Sequence, residues 1–378
     1  MLAQTPPMGW NSWNTFGSNI NEQLIFEIAD AMVDKGYRDA GYEYLVIDDC
    51  WSCRERDRSG KLVADPEKFP HGMKYVADYV HSKGLKFGMY SAAGIMTCAG
   101  YPGRYGHEDQ DAHTIAEWGV DYLKYDLCHY PGSGDVRNSY LTMSMALRST
   151  GREILFAGCT CGTYDPWDWM RSIGAHMYRS HADITDEYEA FRYIAQTQLP
   201  NFKYSGPGCF NDMDMLVVGM GGEGNVSHTG GCSDEEYLMH FSLWCLWGTP
   251  LMMGADIRNV NEYCRSVMLN RELIALNQDP DARAPFYEEK QRYASKARMG
   301  LLKFLANGEI VIAYYNFDIN PLQVLLYFDD YGIPGGSNYG LELTDILTGE
   351  NIGVKFDCYN PTLPGRSFKI YKAKFVER

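Results

Sequence analysis

The 378-residue chain predicts an α/β protein: a (β/α)8 TIM barrel over residues 1–281, followed by a C-terminal antiparallel β-sandwich over 282–378. Three observations carry this expectation. Eight short apolar runs alternate with eight amphipathic segments up to about Leu276, the succession that a parallel barrel with outer helices requires. Beyond Asp281 the helical period gives way to period-two alternation broken by turn residues, which is the signature of antiparallel strands. The apolar runs also end repeatedly in polar, acidic or aromatic residues, and in such a barrel the C-terminal strand ends share one mouth.

The strand-like runs are 8–13, 44–49, 85–92, 121–128, 154–159, 176–184, 204–215 and 250–257. Helical patterns separate them at 23–35, 72–83, 109–118, 136–148, 166–173, 187–198, 234–247 and 260–276. Gly84 and Gly119 stand where two of these helices should stop, and Ser233 precedes another at a capping position. Strands are then expected at 300–305, 309–317, 322–328, 341–346 and 367–376, punctuated by Asn307-Gly308, Pro334-Gly335-Gly336 and Thr348-Gly349. No residue cluster in this last quarter suggests chemistry, so its expected role is to cover one side of the barrel.

Composition narrows the function classes. The formal net charge is -15, with acidic residues spread along the chain, which argues against a nucleic-acid partner. No apolar run reaches the roughly 18–20 residues that span a bilayer, so no membrane association is expected. Residues 1–16 show neither a basic n-region nor a continuous apolar stretch; the expectation is a cytoplasmic protein, secreted if a leader has been trimmed. Self-association into a homo-oligomer is left open. The 11 cysteines are odd in number, and neither Cys50-x-x-Cys53 nor Cys159-x-Cys161 comes with histidines at zinc-finger spacing. Most are expected to be buried thiols.

The stretch 121–128, DYLKYDLC, organises the chemistry. In a strand its alternate side chains share a face, so Leu123, Tyr125 and Leu127 point one way and Lys124 and Asp126 the other. A lone pair of this kind is usually structural. Here the neighbouring strand ends add Trp10 and Trp13, Asp48 and Asp49, Tyr90, Cys159 and Thr160, Arg179 and Asp183, and Asp212 and Asp214. Two inward carboxylates one strand apart, Asp126 and Asp183, are the equipment for cleaving a glycosidic bond with retention, which needs about 5–5.5 Å between attacking and proton-donating groups. Lys124 is expected to keep Asp126 ionised. Asp183 must instead hold a proton, which calls for a drier setting. Arg179 either clamps a sugar hydroxyl or pairs with Asp183 or Asp214. Asp48 and Asp49 either fork across two hydroxyls or include one structural member, and Trp13 and Tyr90 either stack on a sugar or pack. Asp212-x-Asp214 has a metal-like spacing with no further ligand nearby in sequence, so neither a metal nor a cofactor is expected.

The ordered segments MGWNSWNTF (8–16), IDDCW (47–51), TCAGYPGRYG (97–106), DYLKYDLC (121–128), YRSHADI (178–184) and PGCFNDMDML (207–216) together resemble glycoside hydrolase family 27, the melibiase family of α-galactosidases and α-N-acetylgalactosaminidases. The resemblance runs from Pro6 past Ile257, and the C-terminal sandwich fits the same plan. It implies that Asp126 is the nucleophile and Asp183 the acid/base. It further implies that Trp13, Asp48, Asp49, Tyr90, Cys98, Lys124, Arg179 and Asp214 bind the sugar, and that Cys98 and Cys128 are neighbours at the mouth, disulfide-bonded in secreted members.

Departures from the family pattern bear on the substrate. After the fifth strand α-galactosidases of the family typically carry Cys-Glu-Trp, whereas this chain has Cys159-Thr160-Cys161. A short side chain at Thr160, with Thr163, would open room for a 2-acetamido group, and the reading leans to an α-N-acetylgalactosaminidase. The alternatives are an α-galactosidase, a β-L-arabinopyranosidase and, from a different class, a non-catalytic carbohydrate-binding protein. The implied partner is an oligosaccharide or glycoconjugate ending in α-Gal or α-GalNAc. Tyr178 replaces the usual tryptophan before Arg179, and Cys50 lacks the partner expected near Ser18, leaving a Cys50–Cys53 bond or a free thiol.

Overall fold

A computed structural model describes residues 2–132, 135–286 and 296–377. Its first part is a parallel ring built from β1 (Met8–Asn11), β2 (Tyr44–Ile47), β3 (Lys86–Ala92), β4 (Tyr122–Asp126), β5 (Leu155–Cys159), β6 (Met177–Arg179), β7 (Phe210–Asp212) and β8 (Leu251–Met253). These run in the order β7-β6-β5-β4-β3-β2-β1-β8. A parallel bridge between Leu216, just beyond β7, and Met253 of β8 closes the ring.

Alternation along the strands sorts side chains into two cores. Tyr44, Val46, Tyr122, Leu155, Ala157, Met177, Met215 and Met252 form a small cluster of their own inside the barrel. Leu45, Ile47, Leu123 and Tyr125 point outward into the large core shared with the helices. Lys124 and Asp126 therefore continue the inward row begun by Tyr122.

The helices that cover the ring are α1 (Trp13–Phe16), α2 (Glu22–Asp34), α3 (Gly72–Ser82), α4 (Glu108–Glu117), α5 (Val136–Ser149), α6 (Pro166–Ile173), α7 (Tyr188–Gln198), α8 (Asp234–Trp247), α9 (Glu262–Met268) and α10 (Arg271–Asn277). Ser233 caps α8 in a reciprocal box with Glu236. Gly84 and Gly119 lie in the left-handed region just past α3 and α4, as helix stops require. The pattern at 260–276 divides into α9 and α10, because Asn270 turns its side chain onto the Leu273 N–H and starts a second helix.

The last quarter of the chain forms a five-stranded antiparallel sheet, β13-β12-β15-β10-β9, and a two-stranded ribbon, β11-β14. Its members are β9 (Arg298–Phe304), β10 (Ile310–Asn316), β11 (Leu322–Gln323), β12 (Tyr339–Asp345), β13 (Asn351–Lys355), β14 (Thr362–Leu363) and β15 (Ser367–Glu377). One face of the sheet, including Leu301, Val311, Ala313, Tyr315 and Ile370, merges with the barrel core. The other face, with Leu302, Ile312 and Tyr314, closes on Val324, Leu326 and Leu363 from the ribbon side. Buried Lys303 reaches across the junction, donating to the carbonyls of Leu246 in α8 at 3.1 Å and Leu276 in α10 at 2.9 Å. A cation there satisfies carbonyls that helix ends leave orphaned.

Candidate active site

One pocket opens at the C-terminal strand ends and is lined by Trp13, Asn14, Asp48, Asp49, Tyr90, Cys98, Lys124, Asp126, Arg179, Asp183, Asp214, Met215 and Val226. β1, β2, β3, β4, β6 and β7 contribute, through residues near their C-terminal ends or in the segments that follow. Asp126 ends β4 and Arg179 ends β6, while Asp48 and Asp49 follow β2 directly. Adjacent aspartates would face opposite ways in a strand, but Cys50 has φ +73°, so the chain turns at once and both carboxyls reach the pocket. Asp214, two residues past β7, is itself left-handed at φ +83°. A larger cavity of about 310 Å³ lies near the opposite end of β5, between Arg148, Arg152, Glu153, Phe156 and His176. It offers no carboxylate pair, and that face of a barrel ordinarily carries stability.

On one wall, Asp126 is buried and accepts from the Tyr90 hydroxyl at 3.0 Å and the Leu127 N–H at 2.8 Å. Tyr90 is thus buried beneath the carboxylate it holds. Lys124, expected beside Asp126 as the cation that keeps it ionised, makes its hydrogen bond elsewhere. Its Nζ donates at 2.8 Å to Oδ2 of Asp48, which follows β2, two strands away across β3, and whose Oδ2 also accepts from Asn11 Nδ2. Burial works against the charge on Lys124, yet Asp48, and next Asp126, hold its pKa well above the usual lysine range. Asp49 spends its oxygens on the N–H groups of Cys50 and Ala99, and burial raises its pKa. Cys98 is disulfide-bonded to Cys128, while Cys50 and Cys53 are free thiols.

Across the pocket Arg179 is buried and bridges Asp214 at 2.6 Å and Asp183 at 2.8 Å. The two carboxylates differ in setting. Asp214 is buried, which lifts its pKa to about 6 against the pull of Arg179. The Asp183 side chain is 71% exposed, and Arg179 lowers its pKa. The dry surroundings expected for Asp183 are therefore not found: the guanidinium beside it favours the ionised form.

A family model described as Melibiase_2, alpha galactosidase A, matches residues 5–279. The chain belongs to the melibiase family, glycoside hydrolase family 27. The alpha-galactosidase of Cyamopsis tetragonoloba is 48% identical over 279 residues, covering 74% of this chain and 65% of the relative, so the match spans just under two thirds of that protein. Among solved structures, alpha-galactosidase I from Mortierella vinacea superposes with a TM-score of 0.90 at 32% identity, covering 100% of this chain and 98% of that one. The alpha-galactosidase of Saccharomyces cerevisiae with raffinose does so with a TM-score of 0.86 at 29% identity, over 99% and 98% of the two chains.

Within the melibiase pocket, two residues singled out in the sequence stand apart. Thr160 and Thr163 do not line it. Thr160 Oγ1 donates to the Thr163 carbonyl at 2.7 Å, and Thr163 Oγ1 donates back to the Thr160 carbonyl at 2.6 Å. Both hydroxyls are thus turned into their own tight loop. Asp212 gives a carboxyl oxygen to the Asp214 N–H at 2.9 Å, and Asp214 serves Arg179 and the Ile184 N–H. The sequence reading passed over Asn14, Met215 and Val226. Asn14 carries a buried Nδ2 without a hydrogen-bond partner among the described residues; the repeat of Asn11 and Asn14 around Trp13 was the available signal. Cys161, noted in the sequence only as part of Cys159-x-Cys161, lies at the site's edge: its Sγ is 3.9 Å from Asp183 Oδ1 and 3.7 Å from Cys159 Sγ.

Proposed function

We propose that this chain is a retaining exo-α-galactosidase that removes terminal α-linked galactose from oligosaccharides. The observation that carries the reading is the contrast between two aspartates facing one pocket: Asp126 buried and held by donors, Asp183 exposed at the rim. In the first step Asp126 attacks the anomeric carbon while Asp183 gives its proton to the departing oxygen; in the second, Asp183 takes a proton from water, which displaces the sugar from Asp126. The donors from Tyr90 and Leu127 keep the Asp126 carboxylate aimed. Asp183 stands where a leaving group would exit. Covering it with substrate strips water from the carboxyl and favours its neutral form, working against Arg179. Lys124 with Asp48, and Asn14 Nδ2, offer polar contacts for sugar hydroxyls.

The relatives named above as alpha-galactosidases support galactose over N-acetylgalactosamine, as does the raffinose complex of the yeast protein. The lean toward a 2-acetamido sugar rested on Thr160 and Thr163, whose hydroxyls are occupied with each other's backbone. Comparing nitrophenyl α-galactoside with nitrophenyl α-N-acetylgalactosaminide tests the choice. The expected result is a kcat/KM for the galactoside at least about tenfold higher, a gap of roughly 1.4 kcal/mol in transition-state binding. A preference for the acetamido sugar would reverse the assignment, and negligible turnover of both would defeat it.

A further inference from the structure

Cys159 ends β5, and Cys161 follows two residues later with a left-handed backbone, φ +49°. That turn brings the second sulfur back beside the first, 3.7 Å away. Tetrahedral zinc with two thiolates at about 2.3 Å sets the sulfurs about 3.8 Å apart. The two Sγ atoms and a carboxyl oxygen of Asp126 all lie within 4.8 Å of one another. Cys98 and Cys128, on the other side of Asp126, are bonded to each other and have no thiol to offer.

We propose that Cys159, Cys161 and Asp126 form a site for a thiophilic divalent cation of the zinc class, and that filling it stops catalysis by taking the nucleophilic carboxylate as a ligand. Each thiol releases its proton to solvent as its sulfur–metal bond forms, and no electron is transferred. Two thiolates and a carboxylate place three negative charges around the divalent ion, which leaves a net charge of −1 that the nearby Arg179 and Lys124 offset. The cation then competes with sugar for Asp126. Inhibition rests on the glycosidase reading; cation binding does not.

The test uses zinc chloride and the full chain without reductant, so that the Cys98–Cys128 bond persists. Zinc bound is measured by competition with a chromophoric chelator for the native protein, C161S, C159S/C161S and D126N. Because Cys50 and Cys53 provide a background, the difference between proteins is the readout. The native chain should hold one more tightly bound zinc than C159S/C161S. C161S and D126N, each lacking one ligand, should bind it at least roughly tenfold more weakly. Zinc should inhibit native turnover competitively with galactose, and C161S at least roughly tenfold less strongly. Equal zinc uptake by the native chain and C159S/C161S would overturn the site. Binding of the extra zinc with turnover unchanged, or unaltered in D126N, would overturn the engagement of Asp126.

Discussion

At the residue scale the pocket divides its work between buried and exposed carboxylates. Tyr90 donates to Asp126 at 3.0 Å from a fully buried position. A hydrogen bond to a charged group contributes roughly 1.5–3 kcal/mol, so Tyr90→Phe should lower kcat by about tenfold or more, with KM nearly unchanged; an unaltered kcat would show that the contact does not aim the nucleophile. Asp214 shares Arg179 with Asp183. Asp214→Asn removes a negative neighbour, which makes Asp183 easier to ionise and frees Arg179 to favour that charge. Since the reaction needs Asp183 protonated, the alkaline limb of kcat/KM should move to lower pH in this variant; a shift to higher pH would contradict the bridge. Sequence alternation correctly put Lys124 and Asp126 on one face. It could not show that Lys124 would turn to Asp48, or that Asp183 would be exposed, because pairing depends on which charges the other strand ends bring within reach across the mouth.

At the scale of elements, long periodic helices and apolar strands were legible, since burial of one face fixes both. Boundaries failed where a single polar side chain decides them, as Asn270 does between α9 and α10. β13 and β14 escaped notice because Asn351–Lys355 includes Gly353, and Thr362–Leu363 is too short to show a period. The expected strand at 322–328 shrinks to Leu322–Gln323, the chain then turning into a helical turn at Phe328–Tyr331. Ser233 was legible as a cap and holds α8, the helix against which the C-terminal sheet rests. Ser233→Ala should cost about 1 kcal/mol and lower the Tm measured by calorimetry without changing kcat; an unchanged Tm would mean that packing alone sets where α8 begins.

At the scale of the whole molecule, barrel and sheet are joined through a core that contains titratable groups held neutral. His240 of α8 is fully buried and accepts the Val217 N–H at its Nε2, and burial pushes its pKa down to about 3. The unfolded chain takes up a proton on this residue near pH 6.5, whereas the folded chain waits until about pH 3. Between these values the unfolded state binds more protons. The stability is therefore fully present above pH 6.5 and is lost as pH falls, by on the order of 5 kcal/mol for this residue at the acid end. Urea unfolding midpoints should decline from pH 6.5 downward, and less steeply in a His240→Gln variant; equal slopes would show that other groups govern acid unfolding.

The most direct measurement is covalent trapping with an activated, fluorinated α-galactosyl reagent, followed by peptide mass spectrometry. The expected result is one hexose-derived adduct on Asp126, absent from Asp126→Asn. An adduct on Asp183 or elsewhere, or steady turnover by Asp126→Asn, would contradict the assignment of the β4 carboxylate as the group that attacks the sugar.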